Sequence, residues 1–129
     1  MGRITSPVTV RNPLDPAVGI TFDGVVDTGA SHLVLPADWK GRLGTFRSEQ
    51  RVALSLANKE TIEGVTCGPV EVELEGFRPV FTEALFVEMA PRESGQYEAL
   101  IGYVVLAMIP VAVDMLGQRL VHAGTLDLK

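Results

Sequence analysis

The stretch FDGVVDTGASHLVLP, residues 22–36, decides how the rest of the chain is read. Asp27, Thr28 and Gly29 stand in a row between Val25-Val26 and Leu33-Val34-Leu35. Apolar, β-branched runs that meet at a glycine-bearing turn read as two buried strands joined by a sharp loop. A carboxylate in such a loop is costly unless it is hydrogen-bonded or used. The residues alone leave two readings open. Either Asp27 caps its own Asx-type turn and Gly29 supplies a positive φ, or the turn exists to present Asp27 for chemistry.

Outward from this loop the dominant signal is period two. In Val70-Glu71-Val72-Glu73-Leu74-Glu75 the apolar residues face one way and three glutamates the other, the mark of a half-exposed strand. Val52, Leu54 and Leu56 alternate in the same sense. After the polar stretch Ala57, Asn58, Lys59 and Glu60 the chain is extended again through Ile62 and Val65, which predicts a hairpin. Gly76 separates the Val70 strand from another at Val80 to Val87. Met89 to Glu98, with Pro91, Ser94 and Gly95, reads as a surface loop.

Ala99-Leu100-Ile101 then reads as a short buried strand. Tyr103 to Met108 can make one or two helical turns before Pro110, and residues 111–116 and 120–122 form a closing hairpin. Earlier in the chain only Pro36 to Leu43 has a helical look, with Pro36 suited to a first turn. Many short strands with closely spaced turns indicate an all-β barrel or sandwich. With 129 residues and no linker or repeat, one domain spanning 1–129 is expected.

Composition excludes several classes of function. The chain is 47% hydrophobic and 21% charged, as folded domains are and disordered segments are not. A formal charge of −5 and eleven scattered Lys and Arg argue against nucleic acid as a partner. The longest apolar run, Val104 to Val113, contains Pro110 and is too short to cross a bilayer, so no membrane span is expected. The first residues lack the apolar stretch of a signal peptide, which makes a cytoplasmic chain the default. They also fit the loose myristoylation pattern M-G-x-x-x-[ST]. Cys67, the one cysteine, cannot form an intrachain disulfide and reads as a small hydrophobe in a strand.

The residues around the turn resemble the retroviral-type, or retropepsin-like, aspartic proteases. That family has a D-T-G-A loop in its first half, here Asp27 to Ala30. Near its end comes an apolar-apolar-glycine triplet followed by a short helix, here Leu100, Ile101 and Gly102. Between them lies a flap hairpin, and the Val52 to Val65 hairpin falls in that place. Bacterial relatives continue as L-x-G-x-x-x-L, an aspartate in the next strand, then G-x-x-L. Leu100, Gly102, Leu106, Asp114, Gly117 and Leu120 follow that pattern, so the resemblance runs from about residue 3 to residue 123.

The resemblance implies a closed or partly open β-barrel with one short C-terminal helix, forming half a site that a homodimer completes. Aspartic proteases use two carboxylates that share one proton. This chain has no second D-T-G or D-S-G, so a second copy must supply the other aspartate. The implied activity is hydrolysis of peptide or protein substrates with no cofactor and no metal. One Asp27 acts as general base on a water and the other, protonated, polarises the scissile carbonyl. Thr28 would reach across the dimer to the opposite loop. Gly29 lets its N–H approach Asp27, and Gly102 lets the chain cross beneath the loop. Ala30 replaces the serine often found in pepsin-like enzymes, which predicts a mildly acidic pH optimum.

Two departures from the pattern are plain. The candidate flap tip, Ala57-Asn58-Lys59-Glu60, has no glycine, and Tyr103-Val104 stands where relatives carry Arg or an apolar residue then Asp. Cleft-lining candidates are Val34, Ile62, Tyr97 and the Met89 to Glu98 loop.

Other readings carry less. His32 and His122 have no Cys or acidic cluster at ligand spacing, and His32 reads as a residue of the active turn. Neither Ser31 nor Ser94 sits in G-x-S-x-G. The segment TFDGVVDTG also approaches the first motif of haloacid-dehalogenase-type phosphatases, but Thr21 stands where the nucleophilic aspartate belongs. The remaining alternative keeps the fold without the reaction: a catalytically silent dimerisation or peptide-binding module.

Overall fold

The computed structural model describes residues 4–55, 58–109, 111–114, 117 and 119–122. The expectations at Ala57, Leu56, Pro110 and the first three residues lie outside the described residues, as do the side chains of Asp114 and His122.

An antiparallel pair opens the chain, β1 (Thr5–Asn12) with β2 (Asp15–Val26). β3 (Leu33–Pro36) follows the D-T-G loop and leads through a 3-10 turn at Ala37–Trp39 into the short α1 (Lys40–Leu43). β4 (Ser48–Ser55) and β5 (Thr61–Leu74) form the expected hairpin, and β6 (Val80–Val87) lies along β5. β7 (Leu100–Ile101) and α2 (Tyr103–Met108) come next, then a separate pair, β8 (Val111–Asp114) with β9 (Arg119–His122).

The main sheet runs β1-β2-β7-β3-β6-β5-β4, and a further pairing of β1 with β5 closes it into a ring that leaves β4 outside. The closure depends on β5, a single 14-residue strand where the sequence reading expects two shorter ones. Register shifts between Cys67 and Val70, around Gly68-Pro69. Pro is tolerated in a strand at such an irregularity, and a local break in the period there mimics a strand end. Before the shift, β5 gives one edge to β4; after it, residues 71–74 give an edge to β1.

Alternation explains the interior. Val70, Val72 and Leu74 of β5 are fully buried and meet Val8 and Val10 of β1, while Leu33, Leu35, Phe86 and Ile101 fill the centre. Each large apolar side chain buried this way contributes roughly 1.5–3 kcal/mol relative to exposure. The outward face of the same seam is polar. Arg11 donates from Nη1 to Glu71 Oε2 at 3.0 Å and to Glu73 Oε1 at 3.2 Å. Cys67 is buried in β5 as expected, and burial pushes its thiol up to about 11.

Two local expectations are refined. Pro36 caps the 3-10 turn from the end of β3 and does not sit within the first helical turn. The N-terminal hairpin was signalled in the sequence only at Val25-Val26, because the polar Ser6 and Asn12 share the buried face of β1 with Val8 and Val10. Asn12 is 2% exposed, yet fully used. Its Nδ2 donates to the carbonyls of Leu43 and Thr45 at 3.0 and 2.9 Å, and its Oδ1 accepts from Leu14 N–H at 3.0 Å.

Candidate active site

The two strands flanking the D-T-G loop do not pair with each other. β7 lies between them, parallel to β2 through Val25↔Leu100 and Val26↔Ile101, and antiparallel to β3 through Val34↔Leu100. The loop from Asp27 to His32 therefore arches over the end of β7. The segment Leu100-Ile101-Gly102 is what it arches over.

Backbone hydrogen bonds fix the arch at both feet. Val25 N–H donates to the Ala99 carbonyl at 2.9 Å, and Asp27 N–H to the Ile101 carbonyl at 3.0 Å. Ala30 N–H closes the turn on the Asp27 carbonyl at 3.1 Å. On the far side, the first N–H groups of α2 do the holding. Tyr103 N–H donates to the Ala30 carbonyl at 2.9 Å and Val104 N–H to the Ser31 carbonyl at 3.2 Å. Helix N-termini leave such donors without intrahelical partners, and here the loop takes two of them. The contact is made by backbone, so the departure at Tyr103-Val104 does not untie loop from helix.

Glycine is required at Gly102 and favoured, without a positive φ, at Gly29. Gly29 N–H donates to Asp27 Oδ1 at 2.9 Å, and a Cβ on Gly29 would stand 3.2 Å from that same oxygen. A Cβ on Gly102 would stand 2.6 Å from the Ser31 carbonyl carbon, a backbone atom that cannot turn away. The Gly102 contact is the tighter constraint.

Asp27 is half-buried, with Thr28 and Gly29 exposed beside it. Among the described residues, only the Gly29 N–H donates to its carboxylate, on Oδ1, and Oδ2 has no donor. The Asx contact expected of a structural turn is thus present, but it occupies one oxygen of two. Leu100, Ile101 and Gly102 come together under the loop, with Ile101 and Gly102 buried. His32 is tied locally, its Nδ1 2.9 Å from Ser31 Oγ and its Nε2 3.7 Å from Glu83 Oε1. No group of three or more His, Cys, Asp or Glu among the described residues is arranged to hold a metal.

At the candidate flap, Glu60 N–H donates to Asn58 Oδ1 at 3.0 Å and Lys59 adopts φ 69°. The hairpin thus turns through a left-handed residue without glycine, using an Asx contact in its place. Tyr97 is held by a hydrogen bond from its hydroxyl to Asp38 Oδ2 at 2.5 Å and packs edge-on to Trp39 with centroids 5.9 Å apart. Asp38 and Trp39 were missed by the sequence reading, because nothing local marks a contact across 59 positions.

Together these features define an all-β protein of the retroviral-protease fold, with a loop-borne aspartate supported by a glycine-ended strand. Among solved structures, the EIAV protease complexed with the inhibitor HBY-793 is similar to this chain at 19% identity and a TM-score of 0.59. The alignment covers 83% of this chain and 88% of that one. No curated protein matches the sequence. The model of the aspartyl protease family matches residues 13–105, a span that contains both the D-T-G loop and Leu100-Ile101-Gly102. The chain belongs to the aspartyl protease family.

No helix among the described residues is long and apolar enough to cross a membrane.

Proposed function

We propose that the protein is an aspartic endopeptidase whose active unit is a homodimer, with Asp27 of each protomer forming a dyad on the two-fold axis. The observation that carries the reading is the state of Asp27. Its backbone is fixed through Ile101 and Ala30, one carboxylate oxygen is engaged by Gly29, and the other has no donor among the described residues. A structural Asx turn has no need of β7 and α2 to hold it from below.

In the dimer, two such carboxylates lie close enough that only one ionises readily, so they share a proton. The ionised Asp27 takes a proton from a water as it attacks the scissile carbonyl, and the partner's Asp27, protonated, donates a hydrogen bond to the carbonyl oxygen. That proton then serves the leaving amine. Thr28, exposed in the loop, would reach across to the opposite loop. The β4–β5 hairpin is the element that would cover an extended substrate, which binds by adding strand-type hydrogen bonds. A cytoplasmic setting belongs to the same proposal, supported by the single buried thiol of Cys67.

The test is cleavage of a diverse peptide library by the wild type and by Asp27→Asn across about pH 4 to 7, the range for a shared-proton carboxylate pair without a serine beside it. Wild-type cleavage with a mildly acidic optimum, lost by at least about a thousandfold in Asp27→Asn, is expected. Peptide binding without turnover by a folded wild-type dimer would replace the enzyme with the silent module.

A further inference from the structure

A pocket of about 400 Å³ opens between β2 and the loop before β7, with Thr21, Phe22 and Asp23 on one side and Trp39, Gln96 and Tyr97 on the other. Asp27 is not part of it. Three aromatic rings meet there in a continuous cluster. Phe22 and Trp39 lie 4.9 Å apart at 52°, and Trp39 and Tyr97 5.9 Å apart at 84°. Tyr97 is anchored through its hydroxyl to Asp38, which places a second carboxylate at the edge of its ring. Asp23 is exposed and forms no ion pair among the described residues.

The backbone adds to this. β2 pairs with β7 only at Val25 and Val26, so at Thr21 and Asp23 that edge has no ladder partner among the described residues. Val26 N–H points to β1, where it meets the Ile4 carbonyl, whereas Val25 N–H points to the β7 side. Alternation along the strand then turns the backbone groups of Asp23 and Thr21 toward the open edge as well. Pro7, opposite Asp23, has no N–H to offer it, in keeping with that direction.

The pocket thus combines aromatic rings, strand carbonyls turned toward the open edge, and the unpaired carboxylate of Asp23, which leaves β2 on the face opposite Phe22 and so borders the pocket from the outer side. A planar guanidinium has five donors and no acceptor, stacks on aromatic rings and is weakly hydrated for a cation. An ammonium would use fewer of these groups. The open strand edge also suits an extended main chain, whereas free arginine would bring its own carboxylate near Asp23. We propose that this pocket binds the arginine side chain of a polypeptide.

Trp39 is the one tryptophan of the chain, so its fluorescence reads the pocket directly. The probes are acetyl- and methylamide-blocked arginine, the equally blocked neutral isostere citrulline, and free arginine, titrated at constant ionic strength. Blocked arginine is expected to give a saturable change in emission, with citrulline binding about tenfold more weakly or worse. In Asp23→Asn, whose exposed position leaves thermal unfolding unchanged, affinity for blocked arginine should fall roughly three- to tenfold. Equal binding of citrulline, or no saturable change into the tens of millimolar, would overturn the site. Tighter binding of free than of blocked arginine would overturn the polypeptide as its source. None of these readings depends on peptide-bond cleavage.

Discussion

At the scale of single residues, Gly102 and Gly41 make a pair of opposite sign. Adding a Cβ at Gly102 drives it into the Ser31 backbone, whereas a Cβ at Gly41, in α1, meets nothing within 4 Å. Gly102→Ala should therefore cost about 3 kcal/mol or more, because loop and helix must part to admit the methyl. Gly41→Ala should gain about 0.5 kcal/mol from helix propensity and a stiffer unfolded chain. Urea denaturation of the two variants checks both, and a Gly102→Ala protein as stable as the wild type would refute the crossing. The need for glycine at 102 was legible in the sequence as part of a motif. The role of Asn12 was not, since its partners Leu43 and Thr45 are remote in sequence and an isolated Asn looks like any other turn residue.

At the scale of elements, the contact between α1 and β4 shows how a polar tie holds a short helix. Lys40 Nζ lies 2.7 Å from Glu49 Oε1, and Phe46 N–H donates to Glu49 Oε2 at 2.8 Å. The Lys40 contact first, and the Phe46 N–H second, hold the Glu49 carboxyl below its ordinary value of 4.5. A carboxylate depressed in the folded state adds stability above the unfolded value, and that contribution is lost as pH falls through the lower folded value. Acidification from pH 6 to about pH 3 should destabilise the wild type more than Glu49→Gln, by under about 1 kcal/mol because the pair is partly solvated. Thermal melts at both pH values measure the difference, and equal losses would remove Glu49 from the account. β6 was read to the residue, as a strand set off by Gly76 and apolar on both faces near Leu85-Phe86-Val87. The single long β5 was not, because Gly68-Pro69 interrupts the local period while pairing on both sides carries the strand through.

At the scale of the molecule, one protomer carries one D-T-G loop, and the proposed chemistry needs two. Mixing wild type with an equal amount of Asp27→Asn should lower total cleavage to about half, since random pairing leaves only a quarter of the dimers with both aspartates. Specific activity should also fall on dilution through the dimer dissociation constant. Unchanged cleavage on mixing would show that each protomer acts alone.

The sequence by itself determined the strand-rich class, the turn at Asp27 and the triplet at Leu100-Ile101-Gly102, because period, turn chemistry and a dense motif are local properties. Only the tertiary structure decided that β7 lies between β2 and β3, that β5 closes the ring onto β1, and that α2 holds the loop by its backbone. It also decided that Phe22, Trp39 and Tyr97 share one pocket. Those outcomes rest on pairings between segments far apart in the chain, and residue pattern along a strand does not say which edge it will share.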